Sequence, residues 1–97
     1  MQAMESDLTF DWDPANTRHV GRHGVTQIEV GEVFANEAVD IDYQVIEGEA
    51  RWTSVGHTAA MRILVVVWTM RANSVRPITA FEPGKRLASD YLKQKGW

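Results

Sequence analysis

The chain reads as an α+β domain in which two short helices precede a four-stranded antiparallel sheet and a third helix completes the order α-α-β-β-β-β-α. Three observations carry that reading. Residues 13–36 hold two sets of helix start and stop signals, the apolar spacing changes from 3.6 to 2 near residue 37, and helical spacing returns after Pro83.

Asp13 is placed to accept from the free amides of a first turn, and Pro14 fits the first helical position because it has no N–H to lose. Gly24, after His23, supplies the left-handed residue that closes the first helix. Thr26 and Glu29 have the spacing of a capping box, and Val30, Val33 and Phe34 give the second helix a narrow apolar stripe that ends near Asn36. Strands follow over residues 38–45, 50–57, 62–71 and 75–81. Their links, at Glu47-Gly48, Thr58-Ala59-Ala60 and Ala72-Asn73-Ser74, are short enough to require an antiparallel meander. Residues 63–68 are apolar on both faces, which predicts a central strand covered twice. Pro77 cannot donate to a ladder, so the fourth strand belongs at an edge or a bulge, and simple alternation puts Arg76 on the face of Ile78 and Ala80. Pro83 then opens the last helix, with the stripe Leu87, Ala88, Tyr91 and Leu92.

At 97 residues a single domain is expected over residues 8–97, burying about 60 to 65% of its unfolded surface, with residues 1–7 as a polar, unordered start. There is no cysteine, so disulfides, thiol chemistry and Cys-based zinc sites are excluded. The longest apolar run falls far short of the roughly 20 residues that span a bilayer, and no leader pattern is present; a soluble cytoplasmic protein without membrane contact is expected. The net charge of -3 is divided unevenly. Residues 1–50 hold eleven acids against Arg18 and Arg22, and residues 51–97 hold eight bases against Glu82 and Asp90. The asymmetry fits either a basic face for an anionic partner or mutual attraction of the two halves.

Asn16, His19 and His23 stand at i, i+3 and i+7, so an amide and two imidazoles share one helix face and form a candidate site rim. Imidazole exchanges protons near neutral pH, which suits general acid or base work. The alternatives are that His23 serves as a cation at the helix C-terminus and that Asn16 caps a neighbouring turn. His19 and His23 lack both the Glu of H-E-x-x-H and a third ligand, so no metal is expected. Lys85 and Arg86 lie in the first turn of the last helix, where the dipole disfavours cations; a phosphate bound by that turn explains the placement, and solvated side chains are the plainer reading. Of four tryptophans, Trp68 is assigned to the core and Trp12 to the start of the first helix, and none is assigned to base stacking.

Trp12-Asp13, Asn16, His19, Arg22-His23-Gly24-Val25, Glu29-Val30 and Glu32-Val33-Phe34, followed by Gly56, residues 62–67 and residues 76–80, form a pattern that resembles the BrnT-type toxins of bacterial type II toxin-antitoxin pairs. The later segments look like that family's G-[RK]-[ST], R-x-L-x-V-V and R-[IV]-[IV]-[ST]-A-R motifs, and the likeness runs from residue 10 to about residue 92. It implies a RelE-like fold and metal-independent, cofactor-free cleavage of messenger RNA through 2′-hydroxyl attack. It further implies neutralisation by a BrnA-like ribbon-helix-helix antitoxin, with DNA reached only through that partner. Carried over by position, and joined to the residue reading, the candidates are His23, His57 and Arg76 for catalysis and Arg22, Arg62, Lys85 and Arg86 for phosphate, with Asn16 and His19 on the rim. They are expected to converge on one cleft between the first helix and the sheet. Three departures stand against the pattern: His57 replaces a usual Arg or Lys, Phe81 replaces the Arg that ends its motif, and Leu87 replaces a common Glu. They support a rival reading, a non-catalytic module that keeps the fold and binds a partner protein.

Overall fold

The computed structural model describes residues 8–97; the unordered start expected for residues 1–7 lies outside the described residues. Helix α1 (Pro14–Arg22) and helix α2 (Gln27–Ala35) lead into strands β1 (Val39–Ile46), β2 (Glu49–His57), β3 (Ile63–Arg71) and β4 (Ser74–Phe81), and helix α3 (Lys85–Lys95) follows. The strands form one antiparallel sheet in the order β1-β2-β3-β4, as the short links require.

Local chemistry sets the helix ends. The Asp13 carboxylate accepts from the Asn16 amide at 3.0 Å while the Asn16 side-chain oxygen accepts from the Asp13 amide at 2.8 Å, a reciprocal box that Asn16 completes in place of the usual Glu. At the other end Gly24 (φ 72°) turns left-handed, so that its amide reaches Gly21 O and the Val25 amide reaches Val20 O, both at 3.0 Å. This Schellman closure seats Val25 beside Val20 in the core. Thr26 and Glu29 form the expected capping box on α2.

The two sheet faces are covered unequally. On one face Val20, Val25, Val30 and Val33 from the helical hairpin bury Leu64, Val66 and Ala80. On the other, Tyr91, Leu87 and Leu92 of α3 cover only the end formed by Val55, Ile63, Val65 and Phe81. Strand β3 is thus interior and covered twice at that end. The remaining part of the α3 face is left open by the described residues. No helix among the described residues is long and apolar enough to cross a membrane.

Close packing between α2 and β2 fixes Gly56. A Cβ there would stand 2.7 Å from Val33 Cγ1, 3.2 Å from Val33 O and 3.3 Å from the Ala38 Cβ, and Val33 is fully buried with nowhere to move. Gly56→Ala is therefore expected to destabilise the fold by about 1 to 3 kcal/mol, lowering the melting temperature by roughly 5 to 20 °C in a thermal melt. An unchanged melting temperature would show that α2 does not rest on β2 in this way.

Candidate active site

Register, rather than simple alternation, decides where the arginines go. Val67 pairs with Thr79 but Trp68 pairs with Pro77, so Ile78 is an extra residue in β4 and every side chain before it changes face. Arg76 consequently pairs with Thr69 and leaves the face of Ala80, which corrects the placement that alternation predicts. It joins Thr69, Arg51 and Glu49 on the open part of the α3 face. Pro77 sits beside this bulge on an edge strand, the two settings in which a missing ladder donor is tolerated.

Helix α1 runs alongside β4 in the same direction, with Asn16 bonded to Pro77 O at 2.9 Å and the His23 ring 6.0 Å from Phe81. Between helix and sheet lies an open cavity of about 250 Å³ whose polar lining includes His19, Glu49, Arg51, Thr69, Arg71 and Arg76. Arg76 is held there by Asp13 at 2.8 Å and Asp11 at 3.4 Å, and Arg51 is paired with Glu49 at 2.9 Å. Arg71 is exposed and makes no ion pair among the described residues. The buried Thr69 hydroxyl donates to Ala50 O at 2.6 Å and is already satisfied.

The expected convergence of the candidate residues is only partial. His19 and Arg76 line the cavity, and His23 lies one turn beyond His19 on the same helix face. Asn16 reaches the rim with its backbone position, but its side chain, 4% exposed, is spent on Asp13, Asp11 O and Pro77 O. His57 lies elsewhere: its Nδ1 is 2.7 Å from Tyr91 Oη and its ring packs edge-on against Trp97. His57 pairs with Ile63 and Arg76 with Thr69, six residues apart on β3, so their backbones stand about 20 Å apart along the strands. No single phosphodiester spans both.

Arg62 is occupied as well. It donates to Glu82 at 2.8 Å, to Gly24 O at 2.8 Å and to both Glu29 oxygens at 3.1 Å, which ties the α1–α2 link to the end of β4. Lys85 and Arg86 sit exposed at the start of α3 behind Gly84, which offers no side-chain cap. Arg22 is exposed in the last turn of α1. Two groups that sequence reasoning did not assign to the site, Arg51 and Glu49, enter it from β2, and Arg71 enters from the end of β3.

Two carboxylates tie these elements together and set an acid limit on the fold. The Asn16 amide and then the Arg76 guanidinium hold the Asp13 carboxyl below the usual carboxylate range. Burial pushes Glu29 up, but the Thr26 amide and Arg62 outweigh it and the net displacement is downward. A carboxyl that binds its proton less readily when folded than when unfolded gives stability that is complete above the unfolded value, near pH 4, and is lost as pH falls through the folded value. Asp13→Asn keeps a capping oxygen and removes the charge, so the drop in stability between about pH 5 and pH 2 is expected to be shallower than in the wild type, measured by urea unfolding at each pH. Equal slopes would show that the Asp13–Arg76 pair contributes nothing.

A family model described as the ribonuclease toxin, BrnT, of type II toxin-antitoxin systems matches residues 12–86. The chain belongs to this family. In this BrnT member the matched span contains every residue that lines the cavity, whereas Tyr91 and Trp97, which hold His57, fall outside it. Membership makes the chain a toxin-type component whose counterpart is an antitoxin. No curated protein matches the chain. Among the described residues no three His, Asp or Glu side chains come together as a metal-binding group.

Proposed function

We propose that this BrnT chain is an endoribonuclease that holds the scissile phosphodiester in the cavity between α1 and the open sheet face. The observation that carries the reading is the meeting of Arg51, Arg71 and Arg76 with the His19 imidazole around one open cavity, in a chain of ribonuclease toxin family. Guanidinium groups bind phosphate through two parallel N–H donors and stabilise the extra negative charge of a pentacoordinate phosphorane. On this reading His19, on the cavity wall, and His23, about 6 Å of helix rise further along the same face, serve the entering and departing oxygens. In the reaction the ribose 2′-oxygen attacks phosphorus and gives its proton to one imidazole as the bond to the 5′-oxygen breaks and that oxygen takes a proton. The products are a 2′,3′-cyclic phosphate and a 5′-hydroxyl, and the balance requires no metal or cofactor. Lys85 and Arg86 lie near the Phe81 end of β4, about 16 Å along the strand from Arg76, and there they meet a flanking phosphate.

The experiment is incubation of purified protein with single-stranded RNA, and with DNA of the same sequence, in the presence of a chelator. RNA is expected to yield cyclic-phosphate and 5′-hydroxyl ends, and DNA, lacking the nucleophile, to stay intact. Intact RNA at every pH from 5 to 9, with and without divalent metal, would favour the non-catalytic partner-binding module. That second reading has its own support in the carboxylates already paired with Arg76 and Arg51.

A further inference from the structure

The sheet has two edges and treats them differently. The β4 edge is flanked by α1, while β1 bonds to β2 on one side and has no strand on the other among the described residues. Edge strands invite pairing, and proteins guard them with charge, proline, bulges or short length. Strand β1 is eight residues long, has no proline, and exposes Ile41, Tyr43, Val45 and Ile46 at 44%, 56%, 60% and 40%. Its only irregularity is the bulge at Ile41. Tyr43 and Val45 share a face, and Tyr43 lies 5.3 Å from Trp52, which stacks on Trp68 at 4.8 Å, so the exposed apolar row continues into an ordered aromatic layer.

Charge identifies the occupant. Residues 37–49 contain Glu37, Asp40, Asp42, Glu47 and Glu49 and no Lys, Arg or His. A second copy of β1 would bring like charges together across the new pair, and a nucleic acid would bring phosphates against carboxylates. A strand that alternates apolar residues with Lys or Arg meets neither obstacle: its backbone completes the ladder, its apolar side chains cover Tyr43 and Val45, and its cations meet Asp42 on the other face of the strand and Glu47 in the adjoining turn. Resting on the toxin-antitoxin reading, we infer that the outer edge of β1 is the docking site for an extended basic segment of the antitoxin, added as a fifth strand. This site lies on the acidic edge of the molecule, opposite the α1 edge that frames the arginine cavity. The partner thus grips a surface that RNA avoids.

The test is co-expression of the full chain with the product of the adjacent open reading frame, followed by size exclusion, titration and amide hydrogen exchange. The complex is expected to slow exchange across residues 39–46, and the double variant Tyr43→Lys with Val45→Lys, at exposed positions, is expected to weaken binding by about 30-fold or more while melting at the wild-type temperature and retaining RNA cleavage. Asp42→Lys with Glu47→Lys is expected to weaken it through charge alone, with an effect that shrinks as salt is raised. A complex that forms with equal affinity for both double variants and leaves β1 exchange unchanged would overturn the docking site and leave the toxin-antitoxin reading standing. No complex with the wild-type chain would overturn both. A dimer of the chain alone that Val45→Lys dissolves would assign the edge to self-association instead and overturn the proposal.

Discussion

Arg71→Ala is expected to lower the rate of RNA cleavage by about 10² to 10³-fold while leaving the melting temperature at its wild-type value. The asymmetry follows from how the arginines are employed. Arg76 and Arg51 are held by carboxylates, so part of their charge is answered before substrate arrives, and Arg62 serves as a clip between the α1–α2 link and β4. Arg71 is the cavity arginine with no carboxylate partner among the described residues, so of the three it has the most charge left to offer a phosphorane. Being exposed, it also contributes nothing that the fold would miss. Single-turnover kinetics distinguish its role: a lower rate at saturating RNA indicates transition-state stabilisation, whereas a change in KM alone indicates that Arg71 only binds ground-state phosphate. Arg62→Ala should show the opposite behaviour, losing stability before it loses cleavage.

Asn16→Ala should unfold the domain more readily than any exposed substitution. Its side chain is 4% exposed, accepts from the Asp13 amide at 2.8 Å, and donates to Asp11 O and Pro77 O at 2.9 Å each. Alanine removes half of the α1 capping box and leaves a buried carbonyl of β4 without its donor. Together these losses cost about 2 to 4 kcal/mol, a fall of roughly 10 to 25 °C in the melting temperature. Cleavage per folded molecule should stay near wild type at low temperature. If stability is retained and cleavage is lost, Asn16 works on substrate and the structural account of it fails.

Much of the architecture was legible because local signals are self-contained. Asp13-Pro14, Gly24 and the Thr26/Glu29 pair each act within one turn of chain, and the change of period near residue 37 needs no tertiary information. The site was less legible, and the reason is a single inserted residue. Ile78 resets the parity of β4, which moves Arg76 to the opposite face from Ala80. Pro77, flagged in the sequence as a mark of an edge or bulge, was the signal for it. Arg51 and Glu49 were missed because an alternating charged residue on a β2-type strand looks the same whether the face it occupies is bare or roofed. Only the limited reach of α3, which covers Val55 and Val65 and stops short of Thr69, leaves that part of the sheet open. The surroundings of His57 were equally hidden. Its place in the motif suggested a substitute for a basic side chain, but Tyr91 and Trp97 arrive from the far end of the chain to enclose it, a contact that no local pattern announces.

His19 and His57 therefore separate the possibilities most cleanly. The decisive measurement is the single-turnover rate of RNA cleavage in a chelator for His19→Ala and His57→Ala, each confirmed as folded by its thermal melt. A cavity beside α1 predicts a loss of about 10²-fold or more for His19→Ala and a rate close to wild type for His57→Ala. The reverse order would contradict it and move the reaction to the α3 end of the sheet.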